Sequence, residues 1–400
     1  MLIKTRLLLC LATGILLAGL IPVSAADPAK VDADYAFQGE YAGVLAGQYD
    51  VGSQVIALGD GKFRLVLFPG GLPGAGYDGA AEKREYDGAR DGDTVTFTGG
   101  TTSKSITGGK LIFSRDGQEF SIDRTIRKSP TLGAKPPEGA VVLFDGKSAE
   151  NFKPGRMTET GLLMQGANSV RKFQDHKLHI EFRLPYEPKK RGQGRANSGC
   201  YLQARYEVQM LDSFGLAGKH NECGGIYTIK DPDVNMCFPP LQWQSYDIDF
   251  TAAKFDSEGK KTESARITVR HNGVLIHDNV ELPKRTTASP LAEGAAPGFL
   301  HLQDHGNPVR YRNIWAVEKY RLARRGWSAH KKIGEPRIRL GLEAPLSVAP
   351  LKHEFAGVQR VAWQQQRPPL LAGEAAFHQR EIAVLVVSIQ LVANDRVPDV

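Results

Sequence analysis

Residues 197–212 read NSGCYLQARYEVQMLD, and they hold most of the chain's candidate chemistry. Glu207 and Asp212 are carboxylates for acid–base work, with Gln209 between them. Arg205 offers a planar fork for an oxygen anion. His305 lies in a turn beside Gln303 and Asp304, and imidazole titrates near neutral pH. From 200 to 210 the apolar residues fall on even positions. Tyr201, Gln203, Arg205, Glu207 and Gln209 take the odd ones. This period of two predicts a β-strand, or two joined by a tight bend, with one face in a core. The other face is an ordinary wet surface or the floor of a carbohydrate-binding groove. Tyr201 and Trp243 are the aromatics that could stack on a sugar, although tryptophan also serves in cores.

The spacing of Glu207 and Asp212 leaves two readings open. A regular strand puts them on opposite faces, and a bulge near Met210 would bring them together. A pair of carboxylates about 5–5.5 Å apart would suit a retaining glycosidase. Asp212 equally suits a cap on the turn at Ser213-Phe214-Gly215. The predicted catalytic set is Glu207, Asp212 and His305. The predicted substrate-binding set is Asn197, Tyr201, Gln203, Arg205, Gln209, Trp243, Gln303 and Asp304.

Metal patterns are incomplete. His220, Glu222 and Cys223 lack the second ligand pair of a structural zinc site. Asp231, Asp233 and Asn235 lack the glycine and distal glutamate of a calcium loop. The sequence requires no cofactor, and a divalent ion polarising a ketone from Glu207, Asp212 or His305 is compatible with it. No dinucleotide fingerprint or nucleophile elbow occurs, and the glycine-rich stretch at 69–76 lacks the lysine of a phosphate loop.

The elements that must position these groups are strands. The chain has 400 residues, with 43 glycines and 23 prolines, a composition of many turns. Residues 1–25 read as a secretory signal: Lys4 and Arg6, an apolar run at 7–21, then Val23-Ser24-Ala25. Export to the periplasm or beyond is therefore expected, with no membrane span after cleavage. A small all-β domain is expected over 35–128. Its role is open between interaction module, substrate-gating cap and spacer, and an envelope or protein partner is one reading. A proline-rich linker follows at 129–140, then a β-sandwich over 141–320 and a poorly ordered tail over 321–400. The formal charge of +7 comes from the leader and the tail, which leaves the body neutral. Nothing there calls for nucleic acid, and a neutral body suits a neutral sugar. Cys200 falls on the apolar face as a buried thiol. Cys223 and Cys237 are a disulfide candidate in an exported protein.

Several short motifs occur in order: Leu143-Phe144-Asp145-Gly146, Asn197-Ser198-Gly199, Tyr201-Leu202-Gln203, Tyr206-Glu207-Val208-Gln209, Trp243-Gln244, His271-Asn272-Gly273, Leu302-Gln303-Asp304-His305-Gly306 and RYRNIW at 310–315. As a set they resemble the bacterial 3-keto-disaccharide hydrolase domain family, over about 140–320. The arrangement with an N-terminal domain and linker resembles its exported planctomycete-type branch. The resemblance implies a concanavalin A-like lectin/glucanase jelly roll and cleavage of glycosides already oxidised at C3. Net hydrolysis would run through α-proton abstraction, elimination and hydration. Two other readings stay beside it: a glycan-binding module without turnover, and a glucanase-like retaining glycosidase using Glu207 and Asp212.

Overall fold

In the computed structural model, residues 31–319 are described. The expected leader at 1–25 and tail at 321–400 lie outside the described residues. Among these residues the protein is all-β, with two short 3-10 turns. No helix among them is long and apolar enough to cross a membrane.

The first half is a closed barrel. Its strands are β1 (Gly39–Leu45), β2 (Tyr49–Gly59) and β3 (Lys62–Pro69), then, after the two-residue pair β4 (Leu72–Pro73) and β5 (Gly76–Tyr77), β6 (Arg84–Asp91), β7 (Thr94–Phe97), β8 (Ser103–Thr107), β9 (Lys110–Arg115) and β10 (Gln118–Thr125). They close in the order β1-β10-β9-β8-β7-β6-β3-β2. Alternate residues fill the interior, among them Tyr41, Val55, Phe63, Leu65, Val95, Ile106 and Leu111. The opposite face of β2 and β3 is also apolar. Ile56, Val66 and Phe68 leave the barrel and join Phe214, Met236 and Phe238 in the core of the second half. Gly215 permits that contact, because a Cβ there would lie 2.4 Å from Ile56 Cδ1.

The second half is a sandwich of two antiparallel sheets. Its strands are β11 (Val141–Phe144), β12 (Phe152–Lys153), β13 (Leu163–Met164), β14 (Ala167–Phe173), β15 (His176–Arg183), β16 (Ser198–Leu202), β17 (Tyr206–Met210), β18 (Trp243–Thr251), β19 (Lys254–Phe255), β20 (Lys261–Glu263), β21 (Ala265–His271), β22 (Val274–Leu282), β23 (Gly298–Leu302) and β24 (Arg310–Glu318). The larger sheet runs β11-β24-β15-β18-β21-β22, with β13 on β24; the smaller runs β12-β14-β23-β16-β17. The predicted all-β class with a jelly-roll sandwich behind a small β domain is what the molecule adopts. Leu178, Ile180 and Phe182 of the larger sheet meet Cys200, Leu202, Tyr206 and Val208 of the smaller in one core. Each strand therefore sends its alternate residues outward. Those two outer faces carry the polar chemistry.

Residues 197–212 fold as a hairpin, the second of the two forms expected: two strands joined by a tight bend. Gln203 and Ala204 both take left-handed backbone, with φ of 53° and 54°. That is the geometry of a two-residue turn matching strand twist. Left-handed backbone costs about 1–2 kcal/mol for each non-glycine residue. The Gln203 side chain offsets some of this by donating to Phe173 O at 2.9 Å and Gln174 Oε1 at 2.7 Å.

Residues 129–134 are strapped across the outer face of the larger sheet. Ser129 Oγ meets Ser245 Oγ at 2.6 Å, Thr131 donates to Asp247 at 2.7 Å, and the Gly133 amide donates to Glu181 at 2.5 Å. The expected Cys223–Cys237 disulfide is absent, and both residues are free, buried thiols. The two thiols are hydrogen-bonded to each other, not joined covalently; Cys223 Sγ also lies 3.3 Å from the Tyr246 hydroxyl, and Cys237 Sγ 3.5 Å from Leu211 O.

Candidate functional site

The outer face of the smaller sheet is organised by register. Asn168 pairs with His301, His301 with Tyr201, and Tyr201 with Glu207, across β14, β23, β16 and β17. The four side chains thus form one row perpendicular to the strands. Adjacent outward residues on neighbouring strands lie about 4.5–5.5 Å apart, close enough to interact directly. His301 Nδ1 lies 2.6 Å from Asn168 Oδ1. An amide oxygen only accepts, so Nδ1 carries the hydrogen and Nε2 keeps its lone pair. The His301 and Tyr201 rings sit 5.1 Å apart, and Tyr201 hydrogen-bonds Glu207. Gln303, two residues after His301 and just past the end of β23, donates to the Tyr201 hydroxyl at 3.1 Å.

Glu207 is the unusual member of the row. Its carboxyl leans over Gly199, where a Cβ would meet Oε1 at 2.1 Å. Any larger residue at 199 would push the acid out of place. Glu207 is 2% exposed. Burial raises its pKa to about 8, with the Tyr201 hydrogen bond pulling the other way. Burial penalises the charged form, and no cation repays that penalty here. Burial likewise pushes the Tyr201 phenol up, helped by Glu207, and lowers His301 to about 4. At neutral pH the row is therefore uncharged: an acid holding its proton, a neutral imidazole and a phenol.

A wall of loop residues surrounds it. Thr286 Oγ1 accepts from the Glu207 amide at 3.0 Å. Gln193 accepts from Gln209 Nε2 at 3.0 Å and, through its carbonyl, from Asn197 Nδ2 at 2.8 Å. Asn197 Oδ1 is buried without a hydrogen-bond partner among the described residues. The loop carrying Gln193, residues 186–196, is braced from the barrel. Tyr186 donates to Asp32 at 2.8 Å, Lys189 pairs with Asp60 at 2.6 Å, and Arg191 donates to Leu58 O at 2.8 Å.

The structure brings together Asn197, Tyr201, Glu207, Gln209 and Gln303 from the predicted set. It places the others elsewhere. Gln203 and Arg205 do not continue the row, because the hairpin turn carries them away. Arg205 is spent on Ala292 O at 2.7 Å, Ala296 O at 3.0 Å and Gln203 Oε1 at 3.1 Å. Both are sealed, so the expected open floor running from Gln203 to Gln209 is corrected to a short buried row. Asp212 does not pair with Glu207. Its carboxylate is ion-paired with Arg195 Nε at 2.6 Å and caps the Phe214 amide. Trp243 lies on the other sheet, with the Arg312 guanidinium 4.0 Å from its ring centre. His305 is an exposed turn residue. Asp304 sits at the rim, 3.4 Å from Arg156. Sequence reasoning missed His301 and Asn168. The period of two on β23, which faces Phe299, His301 and Gln303 outward, carried the signal for His301. Among the described residues, no group of three or more His, Cys, Asp and Glu side chains is placed to hold a metal ion.

The outer face of the smaller sheet thus gathers one buried carboxyl, Glu207, among aromatic and amide hydrogen-bonding groups. Residues 139–317 match the family model of the 3-keto-alpha-glucoside-1,2-lyase-like domain. A candidate glycosyl hydrolase from Parabacteroides distasonis, solved at 2.13 Å, is 31% identical, with a TM-score of 0.43 over 46% of this chain and 85% of that one. A second from the same organism, solved at 1.70 Å, is 17% identical, with a TM-score of 0.36 over 46% and 95%. No curated protein matches the chain. The sandwich is thus a glycosyl-hydrolase-like domain, in keeping with the resemblance read from its motifs.

Proposed function

We propose that the sandwich cleaves 3-keto-glycosides by elimination and hydration, with Glu207 moving the proton. The observation that carries this reading is a lone carboxyl, Glu207, in register with Tyr201 and His301 and without a second carboxylate, since Asp212 is bound to Arg195. A retaining glycosidase needs two acids about 5–5.5 Å apart. An elimination on a ketone can use one. The C3 ketone acidifies the C2 hydrogen. In its ionised form, the minor one at neutral pH, the Glu207 carboxylate takes that proton, the C2–H electron pair forms the C1=C2 double bond, and the C1–O bond breaks. The same carboxylic acid then protonates the departing oxygen. Water adds at C1 and a proton at C2, which gives net hydrolysis. A group with pKa about 8 suits both halves, because proton transfer is most effective near the working pH. Asn168 and Gln303 supply amide N–H groups beside the row for the enolate oxygen. His301 Nε2 and Asn197 Oδ1 are acceptors for sugar hydroxyls.

The test is incubation with a 3-keto-glucoside and its unoxidised parent in D₂O, with and without chelator. Cleavage of the keto-sugar alone, with deuterium at C2, is expected. Equal cleavage of both substrates, or product without label at C2, would overturn the elimination reading. A chelator effect would add a metal to the site. Export is part of the same proposal and rests on the leader; the N-terminal sequence of the mature protein tests it.

A further inference from the structure

We propose that the outer face of the larger sheet holds a second binding site, which takes a sugar acid through its carboxylate. The site lies on the other side of the sandwich core from Glu207 and does not depend on the reaction proposed above. A cavity of about 600 Å³ opens there between the strapped linker and the sheet. Its polar lining includes Trp243, Arg312, Arg183 and the exposed Lys135. Its apolar wall includes Pro136, Val142 and Leu162.

The guanidinium of Arg312 is built to receive an anion. A bulge in β24 separates the pairs His179–Trp315 and Glu181–Arg312. That extra residue lets Arg312 and Asn313 both reach Glu181, at 2.6 and 2.8 Å. Only the Nε of Arg312 is used in this way. Its two Nη groups have no hydrogen-bond partner among the described residues, and Arg312 lines the cavity. The Arg312 guanidinium carbon lies over the Trp243 ring, 4.0 Å from its centre, which packs the group in place. A fixed planar fork with two amino groups to spare matches a carboxylate, which it can bind through two parallel hydrogen bonds. Glu181 does not compete for a ligand, because it is fully buried and is taken up by Arg312, Asn313 and the Gly133 amide. The remaining charges on the lining, Arg183 and Lys135 against Asp145, add to the attraction for an anion.

The volume and the apolar lining specify the rest of the ligand. About 600 Å³ is far more than an inorganic anion fills, and it lies in the range of small-molecule sites. The wall of Pro136, Val142 and Leu162 suits the C–H face of a pyranose, with hydroxyls turned to the glycine backbone at 133, 146 and 161.

Isothermal titration of the full chain with D-glucuronate, D-glucose and inorganic phosphate tests the site. Saturable one-to-one binding of glucuronate, weakened by salt and absent for glucose, is expected. Arg312→Gln should weaken binding about tenfold, the worth of a charged hydrogen-bond pair. Lys135→Glu lies at an exposed position and folds regardless; it should weaken binding by about two- to fivefold. Equal binding of glucose, equal binding of phosphate, no heat with glucuronate, or wild-type affinity in Lys135→Glu would each overturn the assignment.

Discussion

Glu207 and Glu181 sit on opposite outer faces of one sandwich, each in mid-strand and each buried. Glu207 meets a phenol and a glycine, and burial raises it to about 8. Burial would raise Glu181 too, but hydrogen bonds from His179, Asn313 and Gly133 and the charge of Arg312 hold it down to about 2. Its neighbour His179 is driven the other way. Burial works against its charge, yet the hydrogen bonds to Asp247 and Glu181 prevail and lift it to about 9. The same side chain on the same scaffold is thus a loaded acid on one face and a structural anion on the other. Partners, not depth, decide which.

The sharpest way to break this contrast is to remove each acid in turn. Glu207→Gln should lower turnover of a 3-keto-glucoside by about 10²–10⁴-fold, the range for loss of a general acid–base group. Its urea midpoint should hold or rise. Loss of folding with retained specific activity would put Glu207 in the structural class with Glu181. Glu181→Ala should do the reverse. It leaves His179 and Arg312 without their anion and should cost about 3–5 kcal/mol in a urea melt.

The two acids also predict opposite pH slopes. Between pH 4.5 and 8 the folded chain keeps the Glu207 proton that the unfolded chain has released. Stability on this account falls as pH rises through that window. Glu181 contributes stability above pH 4.5 that is lost as pH falls toward 2. His179 contributes stability that is full below pH 6.5 and lost as pH rises through about 9. Denaturation of the wild type and of Glu207→Gln across pH 4–10 separates these. The variant should lose the slope between 4.5 and 8 and keep the one belonging to His179.

Smaller effects sharpen the outline of the row. Tyr201→Phe removes the hydrogen bond to the Glu207 carboxyl and should slow turnover about tenfold, the worth of one such bond. It should also move upward the pH at which the rate rises, because the Tyr201 hydrogen bond lowers the Glu207 pKa. His305→Ala should change stability by no more than about 0.5 kcal/mol, as for surface substitutions generally. A large loss of turnover there would extend the site to the exposed rim.

Period-two alternation exposed the strands and the core, because it follows directly from the pleat. It could also say that Tyr201, Glu207 and Gln209 share a face. It allowed a tight bend but could not place it at Gln203-Ala204, since neither residue is a turn former and the Gln203 side chain is held by distant partners at Phe173 and Gln174. His301 joins Tyr201 only through pairing of strands a hundred residues apart, and that register is not local information. The competition for Asp212 was likewise invisible, because Arg195 reaches it from a separate loop.

Gln193 stands over Gln209 and Asn197, yet the loop that bears it is anchored to Asp32, Leu58 and Asp60 of the first half. The architecture therefore ties inheritance of the two halves together. Exchanging the barrel between related chains would redraw the wall over the acid before a single residue within 139–317 had changed.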